Sequence, residues 1–291
     1  MKALFYRALA SASKIFGLWI FSLFAWIIST GYFFFFPLRV RISLRFYRAL
    51  FPNKGFSAHI RHTWRQYHSF TNVFIDRLHA GDITFASEGM KHIEKSVQNK
   101  TGGIILMSHV GNWEVAARLL KRGLPETELL LYMGIKNKEQ IENLQKDDLA
   151  REDIKIIALD RDGGSPFDLV SGVRLLKEGG LVSMTGDILW NKNQRSIPVQ
   201  FLGHEVFLPE APHVLALLSG APLFIFFSFR TGKNRYSFSI TEPVFLRADL
   251  GSEKKEAVRK SAQKYADILE KTVREHPSHW YHFEQFLGRK I

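Results

Sequence analysis

Gly103-Ile104-Ile105-Leu106-Met107-Ser108-His109-Val110-Gly111-Asn112-Trp113-Glu114-Val115-Ala116-Ala117-Arg118-Leu119-Leu120 joins an unbroken apolar run to an amphipathic helical pattern. An unbroken run of this length suits a strand covered on both faces, and the pattern after it suits a helix packed on that sheet. Gly111 permits a tight turn, and Asn112 is a favoured N-cap. Side chains at such a strand–helix junction project into the crevice where α/β sheets bind ligands. His109 and Glu114 are five positions apart; on one continuous helix they would point ~140° away from each other. They meet only if His109 lies in the turn and Glu114 in the first helical turn. A carboxylate there would fix the imidazole tautomer and raise its basicity, leaving the other nitrogen to take a proton from a hydroxyl. The competing reading is a solvated histidine and a glutamate favoured by the helix dipole.

Outward from this stretch, short apolar runs alternate with amphipathic ones. Strands are predicted at 83–86, 103–108, 128–133, 154–160, 181–185, 198–202 and 223–229, with a more peripheral alternating strand at 235–240. Helices are predicted at 41–50, 57–78, 88–97, 112–121, 138–149, 167–177, 210–218 and 252–275. This alternation predicts an α/β fold: a single domain with a mixed, largely parallel central sheet flanked by helices. No internal repeat or low-complexity linker divides it.

The N-terminus reads differently. Ile15 to Leu38 carries no charge, is rich in Phe and Trp, and exceeds the ~20 apolar residues of a membrane span. Trp19, Trp26 and Tyr32 suit interfacial depths, while Gly31 and Pro37 bend or end a helix. No small-x-small cleavage site follows, which argues against a signal peptide. The expected division is an N-terminal membrane helix with a basic juxtamembrane segment over 1–55, and a catalytic domain over 56–291. A helix dipping into one leaflet, with Arg39, Arg41, Arg45 and Arg48 on headgroups, is the alternative.

Lys plus Arg exceeds Asp plus Glu by 40 − 28 = 12, which points to an anionic partner. The absence of cysteine excludes disulfides, thiol catalysis and cysteine-based zinc sites. No helix-turn-helix, zinc-finger or RNP signature supports nucleic acid, and no Walker or dinucleotide fingerprint supports a nucleotide. His59 and His62 have metal-ligand spacing but no third ligand, so they read as solvated helix residues and no metal is expected.

Further polar groups follow predicted strands. Arg161, in Leu159-Asp160-Arg161-Asp162-Gly163-Gly164, is placed to hold a phosphate or carboxylate, or to pair with a neighbouring aspartate. Asp187, closing Leu181-Val182-Ser183-Met184-Thr185-Gly186-Asp187, is a candidate to orient an acceptor, to pair with Arg195, or to cap a turn. Phe201 and Gly203 are candidates to shape an acyl or acceptor groove, with core packing an equal contender.

The His-x4-Glu arrangement after a buried strand resembles the signature of the lysophospholipid acyltransferase superfamily. The Gly186-Asp187 pair, the Phe201-Leu202-Gly203 block, the Ala221-Pro222 strand opening and the closing Pro277-x-x-Trp280 segment narrow the resemblance to its lipid A biosynthesis branch. The Glu-Gly-Thr-Arg block of glycerophospholipid acyltransferases is absent, which disfavours lysophosphatidic acid as acceptor. The resemblance implies an O-acyltransferase of the bacterial inner membrane, its catalytic domain facing the cytoplasm. It implies an acyl thioester of acyl carrier protein or CoA as co-substrate, a lipid A-like membrane acceptor, and no further cofactor. His109 would be the base, Glu114 its orienting carboxylate, and Arg161 part of the substrate site. The alternatives are a phospholipid or aminolipid acyltransferase, or a non-catalytic basic lipid-binding protein tethered to the membrane.

Overall fold

The computed structural model describes residues 18–77, 83–134, 149–159, 166–190, 193–249 and 251–288. Arg161, and all but the last residue of the helix expected at 138–149, lie outside these ranges.

The order is α1 (Leu18–Phe35), α2 (Pro37–Leu50), α3 (Phe56–Arg77), β1 (Thr84–Glu88), α4 (Met90–Gln98), β2 (Gly103–Met107), α5 (Trp113–Gly123), β3 (Leu129–Gly134) and β4 (Ile154–Leu159). Then come α6 (Pro166–Lys177), β5 (Leu181–Thr185), β6 (Ser196–Phe201), β7 (His204–Pro209), α7 (Ala211–Ser219), β8 (Leu223–Gly232), β9 (Arg235–Ile240), α8 (Gly251–Glu275) and a 3₁₀ turn, Pro277–His279. Seven strands form one sheet in the order β1-β9-β8-β2-β5-β3-β4. All its pairings are parallel except β8 with β9. The largely parallel α/β domain expected from the alternation is the one observed.

Alternate residues of β2 feed two cores, as the two-residue period of a strand requires. Ile104 and Leu106 join a core shared with α2, α6, α7 and α8, whereas Ile105 and Met107 join one shared with α4 and α5. Both faces are covered, and β2 and β3 are buried along their whole length with no charged residue. Residues 204–209, not expected as a strand, pair with β6 as an antiparallel hairpin. Leu202 and Gly203 form its tip at φ 51° and 74°, the left-handed geometry of a tight hairpin turn.

The single membrane helix expected over 15–38 is not what forms. Helix α1 stops at Phe35, Pro37 opens α2, and the two axes meet at 89°. Proline has no N–H to continue the hydrogen-bond ladder but suits the first turn of a new helix. No single helix among the described residues is long and apolar enough to cross a membrane; the bent pair passes that test only together. Helix α1 packs on α3 through Trp26 against Trp64 and His68, and Phe33 against Trp64 and Tyr67. Its other side leaves Trp19, Ile27, Ile28, Phe34 and Phe35 exposed.

His59 is not solvated. It is buried, with its Nε2 3.0 Å from the Phe51 carbonyl, and His62 stacks on Tyr47. Both serve the α2–α3 corner. Among the described residues no group of three His, Cys, Asp or Glu converges as a metal site.

Candidate active site

Strands β2 and β5 are parallel neighbours, with Met107 opposite Thr185. Two residues further along each, the turn after β2 carries His109 and the turn after β5 carries Asp187. Asp187 Oδ1 lies 2.9 Å from His109 Nδ1. Its Oδ2 accepts the His109 backbone N–H and the Trp280 indole N–H, each at 2.8 Å. The carboxylate is fully buried, and the imidazole keeps 20% of its side-chain surface exposed. Burial alone would raise the Asp187 pKa. The charge and hydrogen bond of His109, with further help from His282 and Trp280, outweigh burial and hold it below the usual carboxylate value. An ionised Asp187 therefore fixes Nδ1 as the protonated nitrogen and leaves Nε2 to act.

The turn itself is over-determined. Gly111 sits at φ 78°, where a Cβ would run into the Ser228 carbonyl. The Asn112 side chain accepts the Val115 N–H at 3.2 Å, capping α5 as the sequence indicated. Asn112 Nδ2 is also 3.4 Å from the Tyr236 hydroxyl, which donates to Asp76; Asp76 in turn takes two bonds from Arg230.

On the opposite side the C-terminal segment closes over the turn. Gly111 N–H donates to His279 O, Tyr281 N–H donates to His109 O, and Gln66 Nε2 holds Trp280 O. Trp190 and His282 stand beside the imidazole, with ring centroids 6.2 and 6.3 Å from it. A small cavity runs from Asp187 along Ile188, Leu189, Phe207 and His282.

The expected His109–Glu114 hydrogen bond is replaced by the one to Asp187. Glu114 does lie in the first turn of α5, but its Oε1 accepts from Arg118 Nη2 at 3.0 Å, and Arg118 also binds Glu152 at 2.7 Å. Four positions apart, Glu114 and Arg118 share a helix face. The Asp187–Arg195 pairing is likewise not the one formed: Arg195 is exposed, at the mouth of the β6–β7 hairpin. Phe201 is buried against Trp280 and Phe286, so it supports the site through the indole. Gly203 occupies the open hairpin tip, where a Cβ would touch nothing. Pro222 opens β8, its carbonyl accepting the Ile104 N–H.

In the sequence Trp280 stands out only as part of the Pro277-x-x-Trp280 block, and Trp190 and His282, beside the imidazole, are not among the candidates. The available signal was two turns, after β2 and β5, each carrying a titratable group at the same offset.

Comparison with curated proteins gave no match. The family model described as bacterial lipid A biosynthesis acyltransferase matches residues 62–287 of the 291, a range that contains His109, Glu114, Asp187 and Trp280. With most of its length matched, the chain belongs to the bacterial lipid A biosynthesis acyltransferase family.

Proposed function

We propose that this acyltransferase moves a fatty acyl group from a thioester of acyl carrier protein or CoA to a hydroxyl of a saccharide-based membrane lipid. The observation that carries the reading is the partly exposed His109 held by the buried, ionised Asp187. Nε2 of His109 takes the proton of the acceptor hydroxyl as its oxygen attacks the thioester carbonyl carbon. The C–S bond then breaks, and the imidazolium returns the proton to the departing thiolate. Asp187 stabilises the transient imidazolium and stays ionised throughout. Direct transfer is favoured because the chain has no cysteine and no Gly-x-Ser-x-Gly elbow to carry the acyl group.

The N–H groups of His109, Val110 and Gly111 are already donated to Asp187, Ser108 Oγ and His279 O. Oxyanion stabilisation therefore falls to other donors, Arg161 among the candidates.

The exposed aromatic and aliphatic side of α1, with α2 turned sharply from it and carrying Arg39, Arg41, Arg45 and Arg48, fits a helix pair seated in one leaflet better than a straight span. A thioester donor supports the cytoplasmic leaflet of the bacterial inner membrane as that seat. Incubating membranes holding the protein with labelled acyl-carrier protein or acyl-CoA, then extracting lipid, tests the activity. Label should enter a saccharide-based lipid; label confined to phospholipid or aminolipid would replace the acceptor class.

A further inference from the structure

A second cavity lies apart from the small one touching Asp187. It is about 280 Å³, lies between α2 and the C-terminal segment, and is lined by Arg41, Arg45, Phe46, Trp280, Glu284 and Phe286 among others. Arg41 and Arg45 are four residues apart, so both guanidiniums point from one face of α2. Among the described residues neither has an ion-pair or hydrogen-bond partner. The inner wall is aromatic: Trp280 packs edge-on against Phe46 and Phe286. Arg39 Nη1 on Phe283 O and Tyr47 Oη on Pro277 O hold α2 to the C-terminal segment. At the rim Leu38 is 72% exposed, one turn from the 81% exposed Phe35 at the end of α1.

Two unpartnered guanidiniums above an aromatic wall suit a phosphate attached to an apolar body, since the guanidinium fork matches phosphate oxygens. A free phosphate would leave the aromatic wall unused. We propose that this cavity binds the phosphate of a membrane lipid, with the lipid's apolar part against Phe46, Trp280 and Phe286. A lipid, rather than a soluble phosphate, follows from the membrane seating of α1 proposed above. That seating puts Leu38 and the two arginines at headgroup depth. Glu284, on the facing wall, opposes the phosphate and sets a limit on affinity. The cavity shares Trp280 with the His109–Asp187 pair, so a lipid held here lies beside the reacting centre.

The test is calorimetric titration of the full chain, in neutral detergent, with dihexanoyl phosphatidic acid, which stays soluble without a bilayer. One saturable site per chain is expected. Arg41→Gln/Arg45→Gln should weaken it at least about tenfold, as loss of charged hydrogen bonds requires. Glu284→Gln should strengthen it. Lys155→Gln/Arg174→Gln, which removes the same charge from an exposed surface elsewhere, should leave it unchanged. If the double arginine variant does not fold, Arg41→Lys and Arg45→Lys, which keep charge but lose the fork, must each weaken binding. Dihexanoylglycerol should not compete, and inorganic phosphate should compete only at concentrations at least about tenfold higher. Unchanged binding by the folded arginine variants, or inorganic phosphate competing as well as the lipid, overturns the proposal. So does CoA displacing the lipid with an affinity that itself depends on Arg41 and Arg45, since the cavity would then serve the donor. His109→Ala should bind the lipid like the wild type, which separates this proposal from the acyl-transfer reading.

Discussion

His109 and Asp187 each stand two residues beyond a facing pair, Met107 and Thr185, on neighbouring parallel strands. Parallel strands lie about 4.8 Å apart, so equal offsets bring the two turns within hydrogen-bond reach. The pair is a property of the sheet register. Trp280, Gln66 and the Gly111 turn then lock both partners from outside the sheet.

Asp187→Asn keeps the shape but cannot stabilise an imidazolium, and its amide can hold the wrong tautomer. Acyl transfer should fall by roughly 10² to 10⁴-fold, mainly in kcat. Combined with His109→Ala it should cost little more than His109→Ala alone, because the two act as a unit. Additive losses in the double variant would show that Asp187 acts independently of the imidazole. Because the folded pKa of Asp187 is depressed, its contribution to stability is complete above the ordinary value of 3.8. That contribution is lost only as pH falls through the lower folded value.

Trp280→Phe removes the indole N–H from Asp187 while keeping most of the packing on Phe46 and Phe201. Asp187 then loses one of the bonds that hold it ionised, so its carboxyl pKa should rise. A variant losing only fold stability, by the ~1.5–3 kcal/mol of a charged hydrogen bond, with an unchanged pH–rate profile would reduce Trp280 to packing.

Glu114 and Asp187 should separate in their phenotypes. Glu114→Gln leaves Arg118 its second carboxylate, Glu152, and should lower melting temperature more than kcat. Arg118→Met takes one charged hydrogen bond from the buried Glu114 carboxylate and should cost about 1.5–3 kcal/mol of stability in denaturant titration. A Glu114→Gln enzyme of native stability but with turnover as low as Asp187→Asn would restore Glu114 to the chemistry.

The central strands were legible because a strand buried on both faces must be apolar throughout, as Ile104 to Met107 are. The hairpin strand at 204–209 was not, because His204 and Glu205 interrupt its apolar pattern and its pairing depends on the Leu202-Gly203 turn. At the site, His109 in the turn and Asn112 at the cap were readable from local chemistry. The carboxylate that meets the imidazole is not legible in the spacing, which sees only near neighbours: Glu114 is five residues away, whereas Asp187 arrives through strand pairing. Likewise, charge-free length suggests one span over 15–38; Pro37 marks a bend or end in the sequence, and the backbone there sets two helices at 89°.

Acid should loosen the α7–α8 interface. His213 is buried with Nδ1 on Ser261 Oγ, and burial lowers its pKa to about 4. Burial, then the charges of His276 and Arg230, lower His279 to the same region. Neutral in the fold but protonated when unfolded, these histidines make stability fall as pH drops from about 6.5 towards 4, by up to ~1.4 kcal/mol per pH unit for each. His213→Gln should flatten that decline in urea titrations across this range. A slope identical to the wild type would mean His213 does not titrate there.

We infer that His109, held by Asp187, is the base of acyl transfer. The most direct test is the initial rate of labelled acyl transfer from acyl-carrier protein to extracted membrane lipid by His109→Ala, in protein shown to melt like the wild type. A fall of at least ~10²-fold is predicted, with membrane binding unchanged. A folded His109→Ala protein turning over near the wild-type rate would contradict the account.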